Sequence, residues 1–259
     1  MRVKHEVTVN GRRSVKVGSP TTTLREHIFA ELTGTAKLDK IARVQFYSAG
    51  AVRDETTSFS YEMPAPNKIR VYGSYTPSSS YDLDALGIVT SGGYSYFYTP
   101  LSSPISVTSG VPVNFEWNLT LSPSRATPTG FLGKFSLDMT SSEYRLLAAI
   151  CKIILLGRSS AFPGGISLKP SRCEVLASDA STVIAQSTNI QVTPDDVAKQ
   201  VTYDTGNMQV TTTTVDNEWI RRIRLVDTVS GGGLIVWDYV QYEYVAKGDY
   251  VRIMISISV

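Results

Sequence analysis

Three features of the chain predict an all-β fold, built as two tandem β-sandwich domains with one short helix each: a stretch that occurs twice, strands of strict alternation, and a composition of pleat and turn formers. Leu83-Asp84-Ala85-Leu86-Gly87-Ile88-Val89 aligns with Ile220-Arg221-Arg222-Ile223-Arg224-Leu225-Val226, apolar position on apolar position. Each run is followed by a glycine turn, Ser91-Gly92-Gly93 or Ser230-Gly231-Gly232-Gly233, and then by an aromatic run, Tyr94–Tyr98 or Leu234–Tyr239. Three residues after Gly110 and Gly248 a period of two sets in: Val113, Phe115, Trp117, Leu119 and Leu121 in the first copy, Val251, Ile253, Ile255, Ile257 and Val259 in the second. A period of two gives one buried and one wet face, so Trp117 and Ile255 are expected to be equivalent core positions. The match predicts an internal duplication. A jelly roll is one version of this architecture, and strand order is left open.

The 259 residues divide on this reading into a first domain at 1–122 with an N-terminal hairpin arm, a linker at 123–133, and a second domain at 134–259. Ser, Thr, Val, Tyr and Gly favour half-buried pleated surface and tight turns. Lys+Arg 25 against Asp+Glu 23 leaves a net charge of +2, which argues against a coat for nucleic acid. The sequence has no eighteen-residue apolar run for a membrane span, and Met1-Arg2-Val3-Lys4-His5-Glu6 lacks the apolar core of a signal peptide, so a chain not secreted by the usual route is expected. Cys151 and Cys173 have no Cys-x-x-Cys spacing or Cys/His cluster around them; buried free thiols are expected ahead of a disulfide or a metal site.

Taken in order, Val3, His5, Val7 and Val9 alternate, Asn10-Gly11 is a hairpin turn, and Val15 and Val17 form the return. The first of these strands has no visible counterpart in the second half, whereas Val15 and Val17 match Phe135 and Leu137. A strand with an apolar face and a free edge is costly to leave exposed, so it either lies on its own domain or pairs with a neighbouring subunit. A helix follows with Thr23 as N-cap and Glu26 completing a capping box, Leu24, Ile28, Phe29 and Leu32 on one face, and Gly34 at its end. The second helix is expected from Ser141 or Ser142, with Tyr144, Leu147, Ala148 and Cys151 on one face. Strands at Lys40–Val44 and Lys152–Leu156 are read as equivalent, as are Phe59–Glu62 with Val201–Asp204 and Ile69–Tyr72 with Met208–Thr211. Gly164–Lys199 then reads as an elaborated loop or added hairpin, and Pro123–Gly130 as a linker of turn formers.

No catalytic, cofactor-binding or metal-ligating residue is assigned. His5 and His27 are expected as solvated or edge histidines, since no nucleophile and orienting carboxylate accompany them. Asp82 and Asp84 share one strand face, as two Ca²⁺ ligands would, but Trp219 and Arg221 replace them in the second copy; wet-face carboxylates are expected. Asp195-Asp196 suits a turn, the glycine runs lack a phosphate-binding pattern, and Arg221, Arg222 and Arg224 suit a solvated face. The sequon at Asn118 lies inside a strand. Tyr72, Tyr75, Tyr81, Tyr94, Tyr96 and Tyr98, with Tyr239, Tyr242, Tyr244 and Tyr250, exceed what two small cores need and suit protein interfaces or sugar-binding faces.

The stretch Leu83–Leu121, with Pro104-Ile105-Ser106-Val107-Thr108-Ser109-Gly110 as its most specific part, resembles the β-sandwich domain of virion structural proteins of tailed phages and archaeal viruses: tail-fibre and collar, turret or capsid proteins. Tyr244-Val245-Ala246-Lys247-Gly248 departs from that pattern in lacking the proline. The resemblance implies a non-enzymatic assembly protein of the virion, made in the host cytoplasm, with its own copies and other virion proteins as partners. A carbohydrate-binding or adhesive module, with a host-surface glycan as ligand, is the second expectation.

Overall fold

The computed structural model describes residues 2–18, 20–122, 128–130, 135–137, 145–165, 167–213, 218–227, 233–239 and 244–259. In chain order the first half runs β1 (Arg2–Val9), β2 (Arg12–Gly18), α1 (Thr22–Thr33), β3 (Ile41–Ser48), β4 (Ala51–Thr56), β5 (Ser60–Ala65), β6 (Lys68–Tyr75), β7 (Tyr81–Thr90), β8 (Ser95–Val107) and β9 (Val113–Ser122). The second runs β10 (Pro128–Gly130), β11 (Phe135–Leu137), α2 (Leu146–Leu156), α3 (Arg158–Ala161), β12 (Arg172–Leu176), β13 (Val183–Ser187), β14 (Gln191–Asp195), β15 (Gln200–Gln209), β16 (Glu218–Trp219), β17 (Arg222–Val226), β18 (Gly233–Tyr239), β19 (Tyr244–Val245) and β20 (Tyr250–Ser258). The protein is all-β, with antiparallel sheets and short helices.

The chain divides into two compact units, neither of them continuous. Unit 1 comprises Met1–Ile28, Lys37–Pro123 and Leu147–Pro163; unit 2 comprises Phe29–Ala36, Ser124–Leu146 and Gly164–Val259. The helix of the second half is therefore counted almost wholly with unit 1, and the stretch expected as a linker at 123–133 already contains β10.

Unit 1 is a sandwich of two sheets, in the orders β2-β1-β9-β6-β5 and β4-β3-β7-β8. Alternation is what buries it: Val3, Val7 and Val9 of β1, Phe115, Trp117, Leu119 and Leu121 of β9, and Ile69 and Val71 of β6 all point inward from one sheet. Phe46, Leu86, Ile88 and Phe97 come from the other. The sheets meet where Phe46 stacks on Tyr75 at 3.5 Å between ring centroids and meets Phe115 edge-on at 5.4 Å. In unit 2 the sheets run β10-β20-β15-β14 and β11-β18-β17-β12-β13, with β16 and β19 paired separately. Val201, Tyr203, Ile253 and Ile255 are buried from one sheet, Cys173, Val175, Ile223 and Leu225 from the other.

Strand order and register repeat from unit to unit except at one strand: β2 lies beside β1, whereas β11 lies beside β18 in the other sheet, so the expected match of Val15 and Val17 with Phe135 and Leu137 is not seen. Trp117 of β9 lies between Val7 and Val71; Ile255 of β20 lies between Pro128 and Tyr203. Phe46 faces Leu86 and Val44 faces Ile88, as Val175 faces Ile223 and Cys173 faces Leu225. Ile88 faces Phe97 as Leu225 faces Ile235. This is the pattern an internal duplication would leave.

The same registers correct several expectations. Ile69–Tyr72 is equivalent to Val201–Asp204, because both flank the closing strand; Phe59–Glu62 is not. The hairpin β12–β13 and strand β14 inside Gly164–Lys199 repeat β3, β4 and β5 and are no insertion. Strand β10 is the counterpart of β1, which therefore does not lack one. Lys152–Leu156 is helical: Ala149, Ile150, Cys151, Ile153, Ile154 and Leu155 are all buried, and an apolar run without periodicity reads as strand and helix alike. The expected start of that helix at Ser141 or Ser142, with Tyr144, lies outside the described residues, as do the turn 230–232, Tyr242 and the linker core 123–127. Helix α1 starts at Thr22, with the Leu24 N–H donated to Thr21 Oγ1 at 3.2 Å, so Thr21 rather than Thr23 is the cap. Gly34 ends it in the left-handed region, φ 103°.

The N-terminal hairpin is not an arm outside its sandwich. Its turn has Asn10 at φ 45° and Gly11 at φ 79°, and Asn10 is tied to β9 by its N–H to Asn114 O and by Asn114 N–H to Asn10 Oδ1, both 3.0 Å. β1 is an interior strand between β2 and β9, so the free edge belongs to β2. Its valines lie on the wet side: Val15 and Val17 face Glu6 and Lys4, the outward residues of β1, and are 50% and 66% exposed.

Candidate functional site

Both histidines are buried, against expectation. His5 takes an inward position of β1, where Nδ1 pairs with Thr99 Oγ1 at 2.8 Å and the ring stands 5.9 Å from Phe97 and 6.1 Å from Trp117. Burial, followed by the charge of Lys16, lowers its pKa to about 4, so the imidazole is neutral at pH 7. His27 Nδ1 lies 2.7 Å from Tyr96 Oη, which also accepts the Asp39 N–H at 2.9 Å. Tyr96 Oη then has its proton available for His27. Periodicity places a histidine on a face but cannot show the Thr99 or Tyr96 hydroxyl that makes burial tolerable, which is why the sequence misled.

Asp39 organises the turn between β7 and β8. Its carboxylate accepts Ser91 Oγ at 2.6 Å, Gly92 N–H at 2.5 Å and Lys40 N–H at 2.8 Å. Burial acts to raise its pKa, but these donors outweigh it and hold the group below the usual carboxylate range. A Cβ on Gly92 would lie 2.7 Å from Asp39 Oδ2 and 2.8 Å from the Tyr94 ring, so a larger residue would displace these side chains and loosen the clasp. The arrangement is a structural clasp whose acceptors and donors satisfy one another.

The remaining candidates separate. Asp82 accepts Ser106 Oγ across the β7–β8 ladder at 2.6 Å, whereas Asp84 accepts the Ala49 N–H of the β3–β4 turn at 2.6 Å; the two carboxylates serve different elements. Among the described residues, no group of three or more His, Cys, Asp or Glu side chains could hold a metal ion. Asp195 caps its turn through the N–H groups of Val197 and Ala198, at 3.0 and 2.8 Å. Asn118 donates its amide to Glu116 at 2.8 Å. Arg224 is paired with the buried Glu174, which also meets Arg172 at 2.6 Å. Cys151 and Cys173 are free and buried, which pushes both thiols up to about 12.

The tyrosines divide. Tyr75 and Tyr96 are core residues, while Tyr94, Tyr98, Tyr244 and Tyr250 are exposed. Tyr244 meets Trp219 edge-on at 4.4 Å. Trp219 lines an open cleft of about 330 Å³ in unit 2 together with Ser178, Ile220 and the exposed Arg221. Beneath it Glu218 is buried and held by Ser178, with Oγ at 2.9 Å and N–H at 3.2 Å. In unit 1 a second open cleft of about 410 Å³ lies beside Tyr72, Gly73, Asn114 and Glu116. Its charge is already engaged, since Glu116 accepts Arg70 at 2.7 Å and Arg70 also meets Glu62 at 2.8 Å.

No family model, no curated protein and no solved structure matches the chain.

Proposed function

We propose that the protein is a non-catalytic structural component of a virion, of the capsid, turret, spike or tail kind, working through contacts with copies of itself and with other virion proteins and residing in the particle after synthesis in the host cytoplasm. The observation that carries this reading is where the exposed apolar side chains sit. Among the described residues Val15, Val17, Val52, Tyr98, Tyr244, Tyr250 and Met254 are on strands, fixed by ladder register, while Tyr94, Val111 and Val197 are on turns or loops and Leu156 ends a helix. Rigid apolar groups displayed this way lose little entropy on contact and gain burial, as an assembly surface requires. Mass spectrometry of purified particles tests the reading: peptides of this chain at a stoichiometry matching the major structural proteins are expected, and their absence from the particles overturns it.

A glycan-binding module is the second reading, favoured by the Trp219–Tyr244 pair beside Arg221 and Ser178. An aromatic face with polar groups at its rim is what a sugar ring stacks on. A glycan array answers this one: binding abolished by Trp219→Ala supports it, and no binding by the parent chain excludes it.

A further inference from the structure

Every sheet edge in a β protein must be paired, covered or blunted. Most of the edges described here are blunted. β5 carries Pro64 and an irregular register between Glu62 and Ala65; β4 has a bulge opposite Phe46 and Tyr47; β8 contains Pro100 and Pro104; β13 is broken in register at Val175/Leu176; and β14 contains Pro194. β2 has neither proline nor bulge; what it does carry are the cations Arg12, Arg13 and Lys16, and Ser14, whose Oγ accepts the Ser102 N–H of β8 at 3.1 Å from the inner face. Its register with β1 runs unbroken from Val9↔Arg12 to Val3↔Gly18, it contains no proline, and no backbone hydrogen bond joins its other side to a described strand.

The two-residue turn settles which groups that edge presents. Val9 and Arg12 flank Asn10-Gly11 and form a hydrogen-bonded pair, so Ser14, Lys16 and Gly18 also point their backbone groups at β1. The N–H and C=O of Arg13, Val15 and Val17 point away from it. These three residues share the wet face, where both valines are exposed.

We propose that two copies of this chain associate through β2, antiparallel about a two-fold axis at Val15, joining their five-stranded sheets into one continuous sheet. This rests on the assembly reading above and names the surface. In that register Val15 faces Val15 of the second copy and Arg13 faces Val17, so each outward-pointing N–H and C=O meets another. The charges agree. Arg12 falls opposite Gly18, Arg13 opposite Val17 and Lys16 opposite Ser14, so no two cations are directly opposed, and Arg13 is already neutralised by Glu6 at 2.8 Å. The acidic edges of the same chain are poorer partners for this basic strand. Asp54 of β4 is taken by Ser78 at 2.8 Å, Glu55 by Arg43 and Gln45, and Asp195 of β14 by its own turn.

The test is solution mass by light scattering across a hundredfold range of concentration, with two variants that leave the β1 ladder untouched. Val15→Pro removes an outward N–H, and Val15→Lys places cations face to face. The parent chain is expected to reach dimer mass and both variants to stay monomeric with unchanged circular dichroism. Val15→Cys is expected to give a disulfide-linked dimer on mild oxidation, while Val52→Cys on β4 is not. A parent chain monomeric throughout, or a dimer that survives both Val15 substitutions, overturns the inference. The particle measurement is separate, so a chain found in virions whose Val15 variants still dimerise would refute this edge and leave the assembly reading standing.

Discussion

Trp117 shows how much a single side chain carries. It is fully buried, between Val7 and Val71 in the sheet and against His5 in the core, although its indole N–H finds no acceptor among the described residues. Trp117→Ala is expected to cost about 3–5 kcal/mol, as large core truncations do. Asn118→Ala, one residue along and half-exposed, should cost little. Urea denaturation of the two variants checks the pair, and equal midpoints would refute the assignment of faces. His5 adds a pH dependence. Its folded pKa lies below the unfolded value, so its contribution is complete above pH 6.5 and is lost as pH falls toward 4, where the unfolded chain binds a proton that the folded one refuses. The loss amounts to up to about 3 kcal/mol over that window. Unfolding free energies at pH 7 and pH 4.5 should therefore differ less in His5→Gln than in the parent chain.

At the level of elements, alternation was the reliable signal and pairing the unreliable one. β9 and β20 were legible because the period of two is set by the pleat itself. So were the Asn10-Gly11 turn, the apolar face of α1 and the Gly34 terminator, each encoded within a few residues. What failed depended mostly on partners distant in sequence; the exceptions were local, the cap of α1 and Lys152–Leu156, whose unbroken apolar run suits strand and helix alike. Phe59–Glu62 and Ile69–Tyr72 both alternate, and only the ladder shows that the second flanks the closing strand. Of the site, Asp195 as a turn residue and the buried thiols were readable; the Thr99 and Tyr96 partners of the histidines, nearly a hundred and nearly seventy residues away, were not. Asn10 is a local feature with a distant tie, since it holds both a left-handed turn position and two bonds to Asn114. Asn10→Ala is expected to lower stability by about 1–2 kcal/mol, from the lost side-chain bond and the strained φ together, as read by a shift in thermal midpoint.

At the scale of the whole molecule, each unit is completed by the strand that comes last in its order, and that strand lies inside its sheet. Removing residues 250–259 would strip β10 and β15 of their shared neighbour. The truncated chain is expected to lose the cooperative unfolding of unit 2 and keep that of unit 1, which calorimetry would show as one surviving transition. Time enters here as well. Hairpins such as β3–β4 and β7–β8 close over short loops, but Val7 meets Trp117 only across most of unit 1, and the entropy of that closure must be met before any contact repays it. Refolding should therefore be slow, on the order of milliseconds to seconds. During that interval β1 and β6 wait with bare edges on either side of a gap that β9 has yet to fill, so dilution should matter more to the yield of refolded protein than the final stability does.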